Sequence, residues 1–247
     1  MIDNLVLFYG VTALVAFLIG LSKGGLGGTL GALATPLMAL VVPPGEAVIG
    51  LVLPILMIAD VFAVGLHWKR WDRRLITLLL PGAVVGVTVG TYLITNAPRE
   101  TLRTILGVIT LIFVVYKLLE KRIMRATQYE GKGWHGIVAG MVTGFSSSLA
   151  HIGGPPVSIY LLMQKVTPRV FIATSALFFF LLNWIKVPYY IYAQQFDLPR
   201  TWQILWLMPL VPLGVWVGKW AADKMDRETF EWVIVALLAV VGVMLLF

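Results

Sequence analysis

Apolar residues fill long blocks of this chain, and polar residues gather in the short stretches between them. Ten apolar blocks can be read, near 5–21, 29–42, 47–66, 75–94, 101–119, 135–149, 155–164, 169–193, 201–221 and 229–247. A helix that crosses a bilayer needs about 20 apolar residues, and eight of the blocks are read as long enough. Blocks 29–42 and 155–164 are not. At 1.5 Å per residue they reach about 15–21 Å, against a hydrocarbon core of about 30 Å. Each short block follows a glycine-rich break. The breaks are Ser22-Lys23-Gly24-Gly25-Leu26-Gly27-Gly28 and His151-Ile152-Gly153-Gly154-Pro155-Pro156.

Composition places these blocks in lipid. Of the 247 residues 59% are hydrophobic and 13% charged, where a soluble domain carries roughly 25% charged residues. A water-facing surface cannot be built from so few charges, so a soluble enzyme is excluded. With no cysteine, thiol chemistry and disulfide scaffolds are excluded as well. The longest polar stretch, 117–133, is too short to fold alone. The first block lacks the basic flank and small-residue cleavage pattern of a signal peptide.

The chain repeats itself. Pro81, Gly86 and Gly90 recur as Pro209, Gly214 and Gly218, and Arg99-Glu100-Thr101 recurs as Arg227-Glu228-Thr229. Gly20 and Pro44 match Gly144 and Pro168 at a slightly shorter offset. The breaks and their short segments fall in register too. The expected organisation is a first membrane repeat over 1–120, a cytoplasmic linker over 121–133 and a second repeat over 134–247.

The distribution of the net +7 charge gives an orientation. If 67–74 faces the cytoplasm, fourteen of the nineteen Lys and Arg fall on that side, in 69–74, 117–132, 165–169 and 219–227. Arg99, Arg103 and Arg200 fall outside, and Lys23 and Lys186 lie within the membrane. This is a strong positive-inside asymmetry. It puts both termini outside and starts the halves on opposite sides. The expected fold is therefore an all-α polytopic membrane protein of two inverted repeats. Each repeat is a long helix, a glycine break and a short half-helix followed by three spanning helices. Inverted repeats with broken helices place a transporter's binding site at the midplane.

Irregular backbone inside a bilayer is tolerated only within protein or beside a water-filled cavity. A break exposes the first N–H groups of the short helix, with the positive end of its dipole. Glycine lets the backbone approach a ligand closely. Such a helix start is an anion site. The expected substrate contacts are Lys23, Gly24, Gly25, Gly27, Gly28 and Thr29 in the first break, and Ser147, Ser148, His151, Gly153 and Gly154 around the second. Asn183 and Lys186 lie in the corresponding region of the eighth block.

Each polar residue also has a plainer reading. Lys23 pairs either with an anion or with Asp60. Asp60 binds a lysine, relays a proton or holds a cation. Lys186 neutralises a substrate or snorkels to the interface. His151 carries a proton, donates to an oxyanion or is packed and hydrogen-bonded. Asp60 and His151 are the coupling or gating candidates. Ser146, Ser147 and Ser148 bind an anion or satisfy carbonyls of their own helix; Thr174 and Ser175 are weaker candidates. Most of the nine Trp fit an interfacial belt, with Trp184 the one placed to line a cavity. No Gly-x-Ser-x-Gly, His-Glu-x-x-His or P-loop pattern occurs, so neither an enzyme nor a nucleotide-driven pump is indicated.

Gly20-x-x-x-Gly24-Gly25-x-Gly27-Gly28 followed by Pro36, the Gly-Gly-Pro-Pro of the second half and the duplicated pattern together resemble the TauE/SafE sulfite-exporter family, also called the toluene-sulfonate uptake permeases. The resemblance spans nearly the whole chain. It implies a bacterial or archaeal inner-membrane secondary carrier for sulfite, sulfonates or related sulfur-containing anions; no cofactor or metal is expected. The expected partners are that small anion and the lipid bilayer, but not nucleic acid; a homodimer is an open option. An anion channel, or an uptake permease for another small organic anion, is the alternative. A membrane enzyme or sensory subunit is the rival outside transport.

Overall fold

A computed structural model describes residues 5–26, 29–42, 48–126, 132–222 and 227–246, and among these no strand occurs. Helix α1 (Leu5–Leu21) runs directly into a π-helical turn, Ser22–Leu26. Two short helices follow, α2 (Thr29–Ala32) and α3 (Ala34–Val41). The long helices α4 (Val48–Leu66), α5 (Arg73–Asn96) and α6 (Arg99–Ala126) come next. Then come α7 (Gly133–Ala150), the short α8 (Gly154–Met163) and α9 (Pro168–Tyr192). The chain closes with α10 (Leu198–Ile204), a 3-10 turn at Leu205–Leu207, α11 (Leu210–Ala222) and α12 (Arg227–Met244).

All ten apolar blocks are helical, but fewer can cross than their lengths suggested. Among the described residues five helices are long and apolar enough: α1 with its π turn, α4, α5, α6 and α9. A sixth span results if α10 and α11 count as one. The single helix expected over 201–221 is instead two pieces meeting at 47°. Pro209 brings no N–H to the ladder, and the chain tightens before it, with Met208 N bonding Leu205 O at 3.0 Å. Helix α7 falls short because glycines, serines, a threonine and a histidine interrupt its apolar residues. Helix α6 runs to Ala126, into the stretch read as linker.

Glycine contacts organise the packing. Added Cβ atoms on Gly82 and Gly86 of α5 would strike the carbonyls of Ile137 and Met141 on α7. Gly140 and Gly144 of α7 meet Leu79 O and Ala83 O in return. Across the molecule, Gly20 and Gly24 meet Val211 O and Val215 O of α11, and Gly214 meets Phe17 O of α1. Small residues four apart let two helix backbones touch, the main route to tight association where lipid offers no hydrophobic drive.

These crossings exchange helices between the halves of the chain. One core joins α1, α3 and α4 to the 3-10 turn and α11, through Val15, Ile19, Met38, Leu51, Leu207 and Val211. Another joins α7, α8 and α9 to α5, through Leu79, Ala83, Val157, Leu161 and Phe178. Each bundle thus borrows one helix from the other half. Helices α6 and α12 pack together beside them around Leu106, Phe113, Leu238 and Val241.

Candidate functional site

The two bundles meet along α4 and α9, and the membrane-embedded polar side chains gather there. Asp60, on α4, is fully buried. Lys23 reaches it from the π turn, with Nζ 2.6 Å from Oδ1. Among the described residues no donor is aligned on that oxygen in hydrogen-bond geometry, so the contact is ionic in character. The other oxygen, Oδ2, accepts from Asn183 Nδ2 at 2.6 Å. The Lys23 ammonium also stands 5.2 Å from the ring centre of Phe179, within range of a cation–π attraction.

One turn along α9, Lys186 is fully buried. A lysine this far inside does not snorkel. Its ammonium donates to Ser147 O at 3.3 Å and Ser147 Oγ at 3.1 Å. Its third contact is His151 Nδ1 at 2.8 Å. Three donors thus find three acceptors, all on α7 or at its end. None of them is a carboxylate. Among the described residues no acid stands within 4.0 Å of Lys186 Nζ.

His151 ends α7 with φ 56° and ψ 20°. That left-handed cap is usually glycine, because a side chain there costs about 1 kcal/mol. The imidazole uses both ring nitrogens. Nε2 lies 2.9 Å from Ile49 O at the start of α4, an oxygen that only accepts, so Nε2 carries a hydrogen. Lys186 sits on Nδ1. The ring therefore ties the end of α7 both to α9 and, across the bundle interface, to α4. Tyr190 completes this edge by donating to Ser148 O at 2.7 Å.

The expected residues divide accordingly. Lys23, Asp60, Ser147, His151, Asn183 and Lys186 form one cluster at the bundle interface. Ser148 Oγ turns back to Phe145 O at 2.8 Å, against Gly90, and Ser146 Oγ to Val142 O at 2.8 Å. Thr174 Oγ1 accepts from Asp72 N at 2.9 Å, at the start of α5. Trp184, rather than lining a cavity, is 53% exposed on the outer side of α9. Gly27 and Gly28 lie outside the described residues, and of Gly25 and Thr29 the backbone alone is described.

The start of α8 holds fewer donors than its glycines suggested. Gly24 carries no side chain because Val215 O occupies that space, so helix packing accounts for it. Gly153 is likewise closed in, by Thr143 and Ser147. Among the described glycines of the two breaks, only Gly154 has open space around it. In α8 two residues of the first turn, Pro155 and Pro156, have no N–H to give. Side-chain cations, rather than backbone amides, dominate the polar cluster. Ser146, Ile152, Pro155 and Pro156 instead border a mostly apolar groove of about 390 Å³ between α6, α7 and α8.

Sequence reading missed Tyr190, Phe179 and the Ile49 carbonyl. The first two had a signal. Phe179, Asn183, Lys186 and Tyr190 are spaced four, three and four apart, which places them on one face of a helix. The Ile49 carbonyl had none, since any residue supplies one.

A family model described as "Sulfite exporter TauE/SafE" matches residues 12–245, nearly the whole chain. Neither the comparison with curated proteins nor that with solved structures returns a match.

Proposed function

Because the chain belongs to the TauE/SafE family of sulfite exporters, a family of membrane transporters, we propose that it is a secondary carrier moving a small sulfur-containing anion, sulfite or an organosulfonate, outward by alternating access. One observation carries the anion reading. Lys186 is fully buried and its hydrogen-bond partners are all neutral, so that as an ammonium it has no carboxylate bonded to it. A buried ion lacking a counter-charge costs several kcal/mol even when hydrogen-bonded. An oxyanion supplies that counter-charge and accepts the same donors.

The substrate contacts we assign are Lys186, Ser147, His151 and Asn183, with Lys23 at the edge of the same cluster. Asp60 holds Lys23 and orients the Asn183 amide. The interface position suits a carrier. Asp60 and Lys23 belong to one bundle, Asn183, Lys186, Ser147 and His151 to the other. The rigid bodies are then the bundles, with their exchanged helices α5 and α11, rather than the two sequence halves. Parting them breaks Asn183–Asp60 and His151–Ile49 and opens the cluster to one side. The duplicated sequence and the exchange of α5 and α11 between the two cores support an inverted pair of repeats, 1–120 and 134–247, and the distribution of Lys and Arg supports both termini outside. A potential negative inside favours anion exit by about 2.3 kcal/mol per charge per 100 mV.

Flux into proteoliposomes tests this. Saturable movement of sulfite or a sulfonate, lost in Lys186→Met, is the expected result. Ohmic anion current without saturation makes the protein a channel. An absence of movement and binding for every sulfur anion tried rejects the assignment.

A further inference from the structure

The cluster is notable for its charge count. Lys23 and Asp60 cancel. Asn183, in the corresponding region of the second half, is neutral. Lys186 and His151 face each other across 2.8 Å. His151 Nε2 keeps its hydrogen for Ile49 O. With Lys186 as the ammonium that donates its three bonds, one proton lies between Lys186 Nζ and His151 Nδ1, beyond those needed to make both neutral. Whichever nitrogen holds it, the pair carries a single positive charge. Asp60 and Lys186 are the only charged side chains in the buried set among the described residues. The whole cluster thus carries one net positive charge.

We infer that this charge count makes the site selective for a monoanion, with Asp60 as the specificity-determining residue through its cancellation of Lys23. The inference rests on the anion-carrier reading above and narrows its substrate to hydrogensulfite or a monosulfonate. A monoanion brings the occluded cluster to neutrality. A dianion leaves a net negative charge in a medium of low dielectric constant, where an unbalanced charge is strongly disfavoured. Removing the acid while keeping Lys23 raises the cluster to two positive charges and matches it to a dianion.

Methanesulfonate and sulfate test the idea, because both are tetrahedral sulfur oxyanions of similar size whose charges stay at one and two near neutral pH. Competition binding to purified full-length protein in lipid nanodiscs is the readout, with labelled methanesulfonate as the probe. In the wild type we expect methanesulfonate to bind at least tenfold more tightly than sulfate. Asp60→Asn should shift that ratio at least tenfold towards sulfate, and the double change Lys23→Met with Asp60→Asn should return it to the monoanion side. If Asp60→Asn alone does not fold, Asn183→Asp tests the count in the opposite sense. It sets the cluster to zero, and affinity for methanesulfonate should fall at least tenfold. Equal affinities in the wild type, an unchanged ratio in Asp60→Asn, or undiminished binding in Asn183→Asp overturns the inference while leaving anion transport standing. A wild type that binds neither anion rejects the carrier reading itself.

Discussion

Asn183 Nδ2 and Asp60 Oδ2 lie 2.6 Å apart, each on the long helix that follows the short segments of its own half. The bond joins corresponding regions of the two halves of the chain, one having an acid and the other an amide. It couples the two bundles through two buried side chains. Asn183→Ala strips the donor from a buried carboxylate oxygen. Leaving such a group unsatisfied costs about 1–3 kcal/mol, and more for a charge. Thermal unfolding in detergent should show a clear drop in midpoint, and Asn183→Gln should recover less than half of it, because its longer arm displaces the amide.

His151 separates backbone strain from side-chain chemistry. His151→Gly relieves the left-handed cap but removes the ties to Ile49 and Lys186. His151→Ala keeps the strain and also loses the ties. We expect transport to fail in both variants. The alanine protein should be the less stable of the two by about 1 kcal/mol, the cost of a side chain in that conformation. Equal stability would mean that the cap relaxes without the histidine.

Ser147 gives Lys186 two of its three acceptors, one from the hydroxyl and one from the backbone. Ser147→Ala removes the hydroxyl alone. A hydrogen bond to a charged group contributes about 1.5–3 kcal/mol, so the buried ammonium should be destabilised by that order. Ser147→Thr keeps the hydroxyl and should retain most of the stability. Both are read from unfolding midpoints alongside anion binding.

The glycine crossings predict a sharp positional pattern. Gly86→Ala and Gly144→Ala push a methyl group into a backbone carbonyl that cannot swing away, and each should cost several kcal/mol by the overpacking that dense cores resist. Gly10 and Gly65 have nothing within 4 Å of an added Cβ. Alanine there should be neutral or stabilising by up to about 1 kcal/mol, from helix propensity alone. Expression level and unfolding midpoint of the four variants provide the comparison.

Much of this was legible in the sequence, for reasons particular residues make clear. Apolar blocks mark helices because lipid requires every backbone group to bond within its own segment. Asp60, Asn183 and Lys186 were visible as polar exceptions inside those blocks, and Lys23 as a charge inside a glycine break. Their pairing was not visible, since it depends on which helices cross. The packing role of Gly24 was hidden for the same reason. A glycine that admits a ligand and one that admits a helix are identical in sequence, and Val215 O decides between them. The bend before α11 could have been anticipated from Pro209, but an equivalent proline, Pro81, sits inside an unbroken α5.

The exchange of α5 and α11 also bears on how the protein is made. The first bundle cannot close its glycine seam until residues 210–222 have left the ribosome, although its other helices were synthesised first. Over that interval Gly20 and Gly24 face lipid or a membrane chaperone, not their partner. A fragment ending before α11 should therefore be a substrate for membrane proteases, and co-expressing the missing C-terminal piece should protect it.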